Sequence, residues 1–558
     1  MGTRVDARAE TFRAAGNLPR VSHANSPAGP QVSAPAPVPT RPRSVPPVDL
    51  RVVAARIGVA PPVAGTVVTG VTLRASEVRP GDLFAALPGA RAHGADFVGD
   101  ALAAGATAVL TDPDGASRPA LREVPLLVHP RPREVLGAAS ALVYGDPTSR
   151  LSVLGITGTS GKTTVAHLVE AGLAAAGRAT GLLGTVGTRI GGQSLPSAFT
   201  TPEAPDLQAL FAVMVEAGVT DVAMEVSSHA LALGRVAGTR FTVGAFTNLS
   251  QDHLDFHRDM DEYFEVKAGL FAEQGAGGAD NGAVWTEHGV VCVDDGWGQR
   301  LAARIPDVRT VSSNGTPADW RAIDAVTGQD GSQSFTVLTP YDRAVPVRLL
   351  LPGAFNVANA LVALAVLDTA GVPVETAAAS LAEVAVPGRM QRVDVGQPFL
   401  AVVDYAHKPA AVAALLDTLR SEVSGRLLVV LGCGGDRDRG KRPMMGAAAA
   451  SRSTLLVVTD DNPRTEDPHA IRAAMLEGAW ADPARGEILE IGDRRAAIAA
   501  VVAAARPGDA VVVAGKGHEV GQEVAGVKHP FDDAAELSAA MSAALAATPS
   551  AGGVRGVR

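Results

Sequence analysis

The run Gly155-Ile156-Thr157-Gly158-Thr159-Ser160-Gly161-Lys162-Thr163-Thr164 lies between two apolar segments of different period. Before it, Leu151 to Ile156 reads as a short buried strand. After it, Val165, Leu168, Val169 and Leu173 fall on one face of a helix. Strand, glycine loop and helix in that order predict an α/β fold whose loop aims backbone N–H groups and a helix N-terminus at an anion. Lys162 is long enough to reach outer phosphates, and the Thr163 hydroxyl suits Mg²⁺. Ile156 stands where the common phosphate-loop pattern has its first glycine. The plain alternative is a Gly/Thr-rich turn; the strand and helix on either side argue against it.

The chain has 49 Lys+Arg, yet only six are lysines: Lys162, Lys267, Lys408, Lys441, Lys516 and Lys528. Arginine serves wherever a generic positive charge is enough. The remaining lysines mark places that need a compact or deprotonatable amine. Four of them lie in segments that read as sites: GTSGKTT, DYAHK, GDRDRGKRP and GKGHE.

A length of 558 residues corresponds to about three or four domains. Hydrophobic residues make up 47% and aromatics 4%, so the cores are aliphatic. A net charge of −9 argues against a general nucleic-acid binder and leaves room for local basic patches that hold phosphates. Two cysteines, Cys292 and Cys433, give no disulfide framework and fit a reducing cytoplasm. No apolar run reaches membrane-spanning length uninterrupted, and the N-terminus lacks the apolar core of a secretory signal. Residues 1–46 and 546–558 are Pro/Ala- or Gly-rich without periodicity and read as disordered tails. Between them three units are expected, over 47–150, 151–386 and 387–545. In the first, VTLRASEVRPGDLFAAL reads as two strands around a turn at Pro80-Gly81-Asp82. In the third, FLAVVDYA, RLLVVLGCGG, TLLVVTDDN and DAVVVAGKG are continuous apolar runs, as for parallel strands covered on both faces. Each ends in polar or glycine residues, at the sheet edge where α/β ligands gather.

Eight motifs occur in order: GTSGKTT, EVSSHAL, TNLSQDHLDFH, GRMQRVD, VDYAHKP, GCGGDRDRGKRP, TDDNPRTE and GKGHE. Together, over roughly residues 65 to 540, they make the chain resemble the Mur ligases of peptidoglycan synthesis. The resemblance implies a three-domain architecture: an N-terminal domain for a uridine nucleotide, a central phosphate-loop ATPase sheet, and a C-terminal Rossmann-like domain for an incoming amino acid.

Glu225 and His253 each read as ending an apolar strand, where a carboxylate and an imidazole can hold Mg²⁺ beside ATP. By local sequence each is more simply a satisfied structural residue; the resemblance gives them the metal role with Thr163. Lys267, in EYFEVKAGLF, reads locally as a solvated helix lysine. The matching family lysine is carbamylated, which turns the cation into an anion for a second Mg²⁺, and only an amine can do this at neutral pH. Lys162, Glu225, His253 and Lys267 are thus the implied catalytic set. The phosphate loop, Gly158, Thr159, Ser160, Gly161, Lys162, Thr163 and Thr164, holds ATP. Asn356 and Asn359 flank the adenine, Arg389 contacts phosphate, Asp404 the ribose, and His407 or Lys408 lies near the phosphates.

For the UDP-muramoyl dipeptide the resemblance implies Leu73, Thr200, Thr201, Ser227 and Arg235. Hydroxyls and a guanidinium suit a substrate rich in phosphate and carboxylate. The chain departs from the common pattern at Phe199, at Leu233, and at Leu73-Arg74-Ala75-Ser76, which lacks the usual Asp-Ser-Arg. The amino-acid site is implied at Arg437, Asp461, Asn462, Pro463, Arg464, Gly515 and Glu519. Arg464 supplies the guanidinium that would distinguish diaminopimelate from lysine through its extra carboxylate.

The implied activity is ATP-dependent addition of meso-diaminopimelate to UDP-MurNAc-L-Ala-D-Glu by a monomer, through an acyl phosphate. Alternatives are addition of another diamino acid such as L-lysine, a folylpolyglutamate synthetase-like ligase, or a nucleotide-dependent regulatory protein. The long N-terminal unit and the Asp461-Asn462-Pro463-Arg464 segment argue against the second. Joint retention of Lys162, Glu225, His253 and Lys267 argues against the third.

Overall fold

The protein is described here from a computed structural model that covers residues 39–62, 65–89, 91–195, 200–271, 284–328, 330–483 and 485–547. Phe199, most of the expected N-terminal tail and nearly all of the C-terminal one lie outside these residues. The chain builds three α/β units around three principal sheets.

In the N-terminal domain four parallel strands, Gly70–Thr72, Asp82–Ala86, Ala108–Thr111 and Leu126–Val128, lie side by side in chain order. The first two were expected around a tight turn. They pair parallel instead, because the 3-10 turn Ala75–Glu77 carries the chain back before Gly81, at φ +92°, starts the second strand. The final residues of the expected N-terminal tail are docked. Arg41 donates to Asp82 Oδ2 at 2.7 Å, and the Arg43 N–H lies 3.0 Å from Glu216 Oε2. Asp82 is 2% exposed, so its charge needs that guanidinium, and composition alone does not reveal the pairing.

The central sheet has eleven strands, with Ser152–Thr157 between Asp221–Glu225 and Arg240–Phe246. Seven strands run parallel, from Thr180–Gly184 to Trp320–Thr327, and antiparallel hairpins extend both ends. Helices Lys162–Ala175 and Phe355–Thr369 cover one face. They approach closely enough that a Cβ on Gly172 would lie 2.3 Å from Leu367 Cδ1. Phe355–Thr369 is apolar nearly all round and its Ala360–Leu367 stretch is fully buried, the pattern of a helix enclosed by sheet and neighbouring helices. Each such buried Leu contributes about 1.5–3 kcal/mol.

The C-terminal sheet places Ala510–Ala514 between Leu400–Asp404 and Leu427–Cys433, followed by Leu455–Asp460 and Glu487–Glu490, all parallel. Leu427–Cys433 and Ala510–Ala514 are buried along their whole length, as continuous apolar runs predict. The loops after Asp404, Cys433, Asp460 and Ala514 therefore emerge at one edge of the sheet. Among the described residues no helix is long and apolar enough to cross a membrane.

Candidate active site

The phosphate loop joins the strand Ser152–Thr157 to the helix Lys162–Ala175. Gly158 sits at φ +144° and Gly161 at φ +86°. A Cβ on Gly158 would lie 1.9 Å from Thr247 Oγ1, and one on Gly161 would lie 2.2 Å from Asn359 Oδ1. Only glycine satisfies both demands. The helix has no side-chain cap, which leaves its first N–H groups available to an anion. Thr247 and Asn248, just past the end of the neighbouring strand Arg240–Phe246, brace the loop: Thr247 Oγ1 donates to the Ser160 carbonyl at 2.6 Å, and Ser160 N–H donates to Asn248 Oδ1 at 3.0 Å.

Lys162 folds back, its Nζ donating to the Gly158 and Thr159 carbonyls at 2.9 Å each. Burial lowers its pKa against the opposing pull of Glu225. Glu225, the last residue of its strand, receives Thr163 Oγ1 at 3.0 Å and the Thr185 N–H at 2.7 Å. His253 does not end a strand. Arg240–Phe246 stops seven residues earlier, and His253 stands in the following loop at φ +53°. Burial drives its pKa down to about 4, so the imidazole is neutral and able to ligate.

Lys267 overturns its local reading. It is 1% exposed on the helix Met260–Ala268, because that helix meets the phosphate loop through the Tyr263 hydroxyl, 3.2 Å from Thr159 Oγ1, while Phe264 packs on Trp297 behind it. Its Nζ donates to the Gly158 carbonyl at 2.7 Å and lies 4.7 Å from the Tyr263 ring centroid. Desolvation, reinforced by Lys162, holds its pKa well below the ordinary lysine value. Sequence reasoning missed His257. It is 1% exposed, and neither ring nitrogen has a hydrogen-bond partner among the described residues. The i, i+4 spacing from His253 was the available signal.

Asn359 reaches the loop from the helix Phe355–Thr369 and donates to Asn356 Oδ1 at 2.8 Å. Arg389 stacks over Tyr405 at 4.6 Å, with its buried Nε unpartnered among the described residues. Asp404 accepts the Met390 and Ala406 N–H groups at 2.8 Å each; burial outweighs these bonds and Arg389, and raises its pKa. Lys408 crosses to the central domain and pairs with Asp252 at 2.5 Å, next to His253.

Thr200 Oγ1 lies 3.0 Å from Thr185 Oγ1, and Thr201 Oγ1 donates to the Glu225 carbonyl at 2.8 Å. Ser227 Oγ caps the short helix Ser228–Ala232, and Arg235 Nε pairs with Glu203 at 2.9 Å. Glu203 and Arg133 also border a cleft of about 850 Å³ shared with Leu73, Arg74, Phe84 and Phe97. Leu73 thus lies in a cleft between the N-terminal and central domains, away from the phosphate loop.

The C-terminal loops form a second cluster. Asn462 Nδ2 donates to Glu519 Oε2 at 2.8 Å. Gly515, at φ +112°, passes so close to Asp461 that a Cβ would lie 2.8 Å from its Oδ2. A Cβ on Gly435 would lie 2.0 Å from the Pro463 carbonyl, so the 432–435 and 461–464 loops are in contact. Arg464 adopts φ +53° and pairs by its backbone with the hairpin Gln522–Val524/Val527–His529; its Nη1 donates to the Gly435 carbonyl at 2.7 Å. Arg437 is exposed and has no side-chain ion pair or hydrogen bond among the described residues. Lys516 and Glu523, unassigned from sequence, both meet Asn462 here. The scarcity of lysine was the signal for Lys516.

Comparison with known proteins bears on the whole chain. Residues 67–144 match the Mur ligase family catalytic domain, 156–367 the Mur ligase middle domain, and 388–517 the Mur ligase glutamate ligase domain. The chain is similar to a UDP-N-acetylmuramoyl-L-alanyl-D-glutamate–2,6-diaminopimelate ligase of Corynebacterium glutamicum, 55% identical over 83% of this chain and 89% of that protein. The protein of the same description from Streptomyces avermitilis is 54% identical over 89% of this chain and 97% of its own length. A solved structure of such a ligase is 33% identical with a TM-score of 0.61, covering 86% of this chain and 96% of that one. A phosphate loop, a strand-end glutamate beside it, a buried lysine against it and a separate polar cluster on a C-terminal α/β sheet accompany these matches, and the chain belongs to the Mur ligase family.

Proposed function

We propose that the protein joins meso-diaminopimelate to the D-glutamate of UDP-MurNAc-L-Ala-D-Glu with hydrolysis of ATP to ADP and phosphate, in the cytoplasm. The observation that carries this reading is the approach of the C-terminal sheet edge to the phosphate-loop cluster. Lys408, at the edge that bears the second cluster, pairs with Asp252 beside His253, and the Thr185 N–H holds Glu225 beside the phosphate loop. Phosphoryl transfer and amine attack can then share one substrate carboxyl.

The D-glutamate γ-carboxylate attacks the γ-phosphorus of ATP, ADP leaves, and an acyl phosphate forms. The diaminopimelate amine then attacks the acyl carbon, and the tetrahedral adduct expels phosphate as the amine loses its proton. Lys162 and the free N–H groups of the phosphate-loop helix hold the transferring phosphoryl, where charge and positioning dominate catalysis. The cradle that a Cβ at Gly158 or Gly161 would fill, with Thr163 and Glu225 at its floor, fits a nucleotide phosphate and its cation. Mg²⁺ bound by Thr163, Glu225, His253 and a Lys267 carbamate would neutralise phosphate charge. A low lysine pKa supports the carbamate, because only the free amine adds CO₂. Asn356, Asn359, Arg389 and Asp404 serve ATP. Leu73, Thr200, Thr201, Ser227 and Arg235 serve the UDP-substrate, and Arg437, Asp461, Asn462, Pro463, Arg464, Gly515 and Glu519 the amino acid.

Phosphate release tests the reading. Turnover is expected only with ATP, UDP-MurNAc-L-Ala-D-Glu and meso-diaminopimelate together. Equal turnover with L-lysine would reassign the amino acid, and turnover with folate and glutamate would overturn the reading.

A further inference from the structure

Lys516 is 0% exposed, and its ammonium sits among the residues of the acceptor cluster. Its Nζ lies 3.1 Å from Asn462 Oδ1, 3.5 Å from Asp461 Oδ1 and 3.5 Å from Glu519 Oε2. The two glycines beside it explain how the chain admits a lysine there. Gly515 passes against Asp461. Gly517, at φ +56°, passes so close to Tyr405 that a Cβ would lie 2.7 Å from the tyrosine Cβ. A buried ammonium persists only where opposite charges and acceptors compensate its lost hydration. Two carboxylates and one amide oxygen do so here.

The lysine also fixes what surrounds it. Asn462 Oδ1 receives two donors, Lys516 Nζ and the Glu523 N–H at 2.9 Å. This network assigns the amide orientation and turns Nδ2 toward Glu519 Oε2. Glu519 Oε2 is thereby anchored, while Oε1 has no hydrogen-bond partner among the described residues. The Arg464 backbone N–H donates to the Glu523 carbonyl at 3.0 Å. One hub, Lys516–Asn462, thus connects to an available carboxylate oxygen on one side and to the arginine-bearing segment on the other.

We infer that Lys516 is a positioning residue for the amino-acid substrate: it locks Asn462 and Glu519 so that Glu519 and Arg464 present opposite charges to the distal ammonium and carboxylate of a diamino diacid. The inference rests on the assignment of this cluster to the amino acid in the proposed function. The lysine acts on binding and selectivity and leaves phosphoryl transfer from ATP to the other cluster.

Steady-state kinetics of the full-length Lys516→Met, Lys516→Gln and Glu519→Gln proteins and of the Lys516→Met/Glu519→Gln double variant test it. KM for meso-diaminopimelate should rise about tenfold or more in each single variant, a change on the scale of one charge-assisted hydrogen bond. KM for ATP should stay within about twofold of the parent, as expected for a residue that serves binding of one substrate alone. The double variant should rise by much less than the product of its parents, because both changes break one linked unit. Lys516→Gln keeps a donor and near-native length, so it carries the test should Lys516→Met unfold. An unchanged KM for meso-diaminopimelate in a folded Lys516 variant, or full additivity with Glu519→Gln, would overturn the inference. Absence of meso-diaminopimelate-dependent turnover in the parent protein would instead overturn the assignment of the pocket.

Discussion

The phosphate-loop cluster and the acceptor cluster both draw lysines inward, Lys162 only in part and Lys267 and Lys516 fully, and they treat them in opposite ways. Lys162 and Lys267 rest on backbone carbonyls of Gly158 and Thr159, which are neutral acceptors. Both have lowered pKa values for lack of full compensation. Lys516 is instead surrounded by the side chains of Asp461, Asn462 and Glu519. The first cluster is electrostatically incomplete, a state suited to groups that bring their own negative charge. The second is nearly neutral within itself and suited to a zwitterion.

Replacing Lys267 should break this contrast most severely. Lys267→Ala and Lys267→Arg are both expected to lower turnover roughly a hundredfold or more, the scale of losing a preorganised charge at a transferring group. Arginine fails because it cannot form the carbamate. Mass spectrometry with isotopic CO₂ and steady-state kinetics would check this; an active Lys267→Arg protein would leave the lysine a structural cation only. In the acceptor cluster, Arg464→Ala should raise KM for meso-diaminopimelate roughly ten- to a hundredfold, the scale of one charge-assisted hydrogen bond, while KM for ATP holds. A parallel loss of ATP affinity would mean that the two clusters are not electrically separate.

A buried pair remote from both clusters serves as control. Deleting residues 1–38 should leave the melting temperature unchanged. Deleting 1–46 removes Arg41, strands the buried Asp82 carboxylate and should cost about 1–3 kcal/mol. Equal melting curves would show that Asp82 finds compensation elsewhere. The smallest effect belongs to the tie between domains. Lys408→Ala should change kcat by only a few-fold, because a half-exposed pair is worth about 0.2–1 kcal/mol, and added salt should erase the difference.

The two clusters also differ in how far sequence discloses them. The phosphate loop is contiguous, so Gly158 to Thr164 could be read directly, and the parallel C-terminal strands followed from unbroken apolar runs. Tertiary packing decided the rest. Lys267 looked solvated because helical periodicity does not say which partner will cover a polar face. His253 looked like a strand end because a loop with positive φ carries no distinct local signal. Thr185 and Glu523 act through backbone N–H groups, which any residue but proline possesses, so residue type is silent about them. The Arg41–Asp82 pairing lies 41 positions apart and is invisible in a proline-rich composition.

The distribution of lysines has a practical consequence for chemical labelling. Lys267 and Lys516 are sealed, Lys162 is turned onto its own loop, and Lys408 and Lys441 are partly covered. Lys528 stands exposed on the hairpin Gln522–Val524/Val527–His529, whose other strand pairs with the backbone of Arg464. Among the lysines, an acylating dye used sparingly should therefore prefer the one at the rim of the acceptor cluster. Its emission would follow filling of that cluster in real time, without a cysteine having to be introduced.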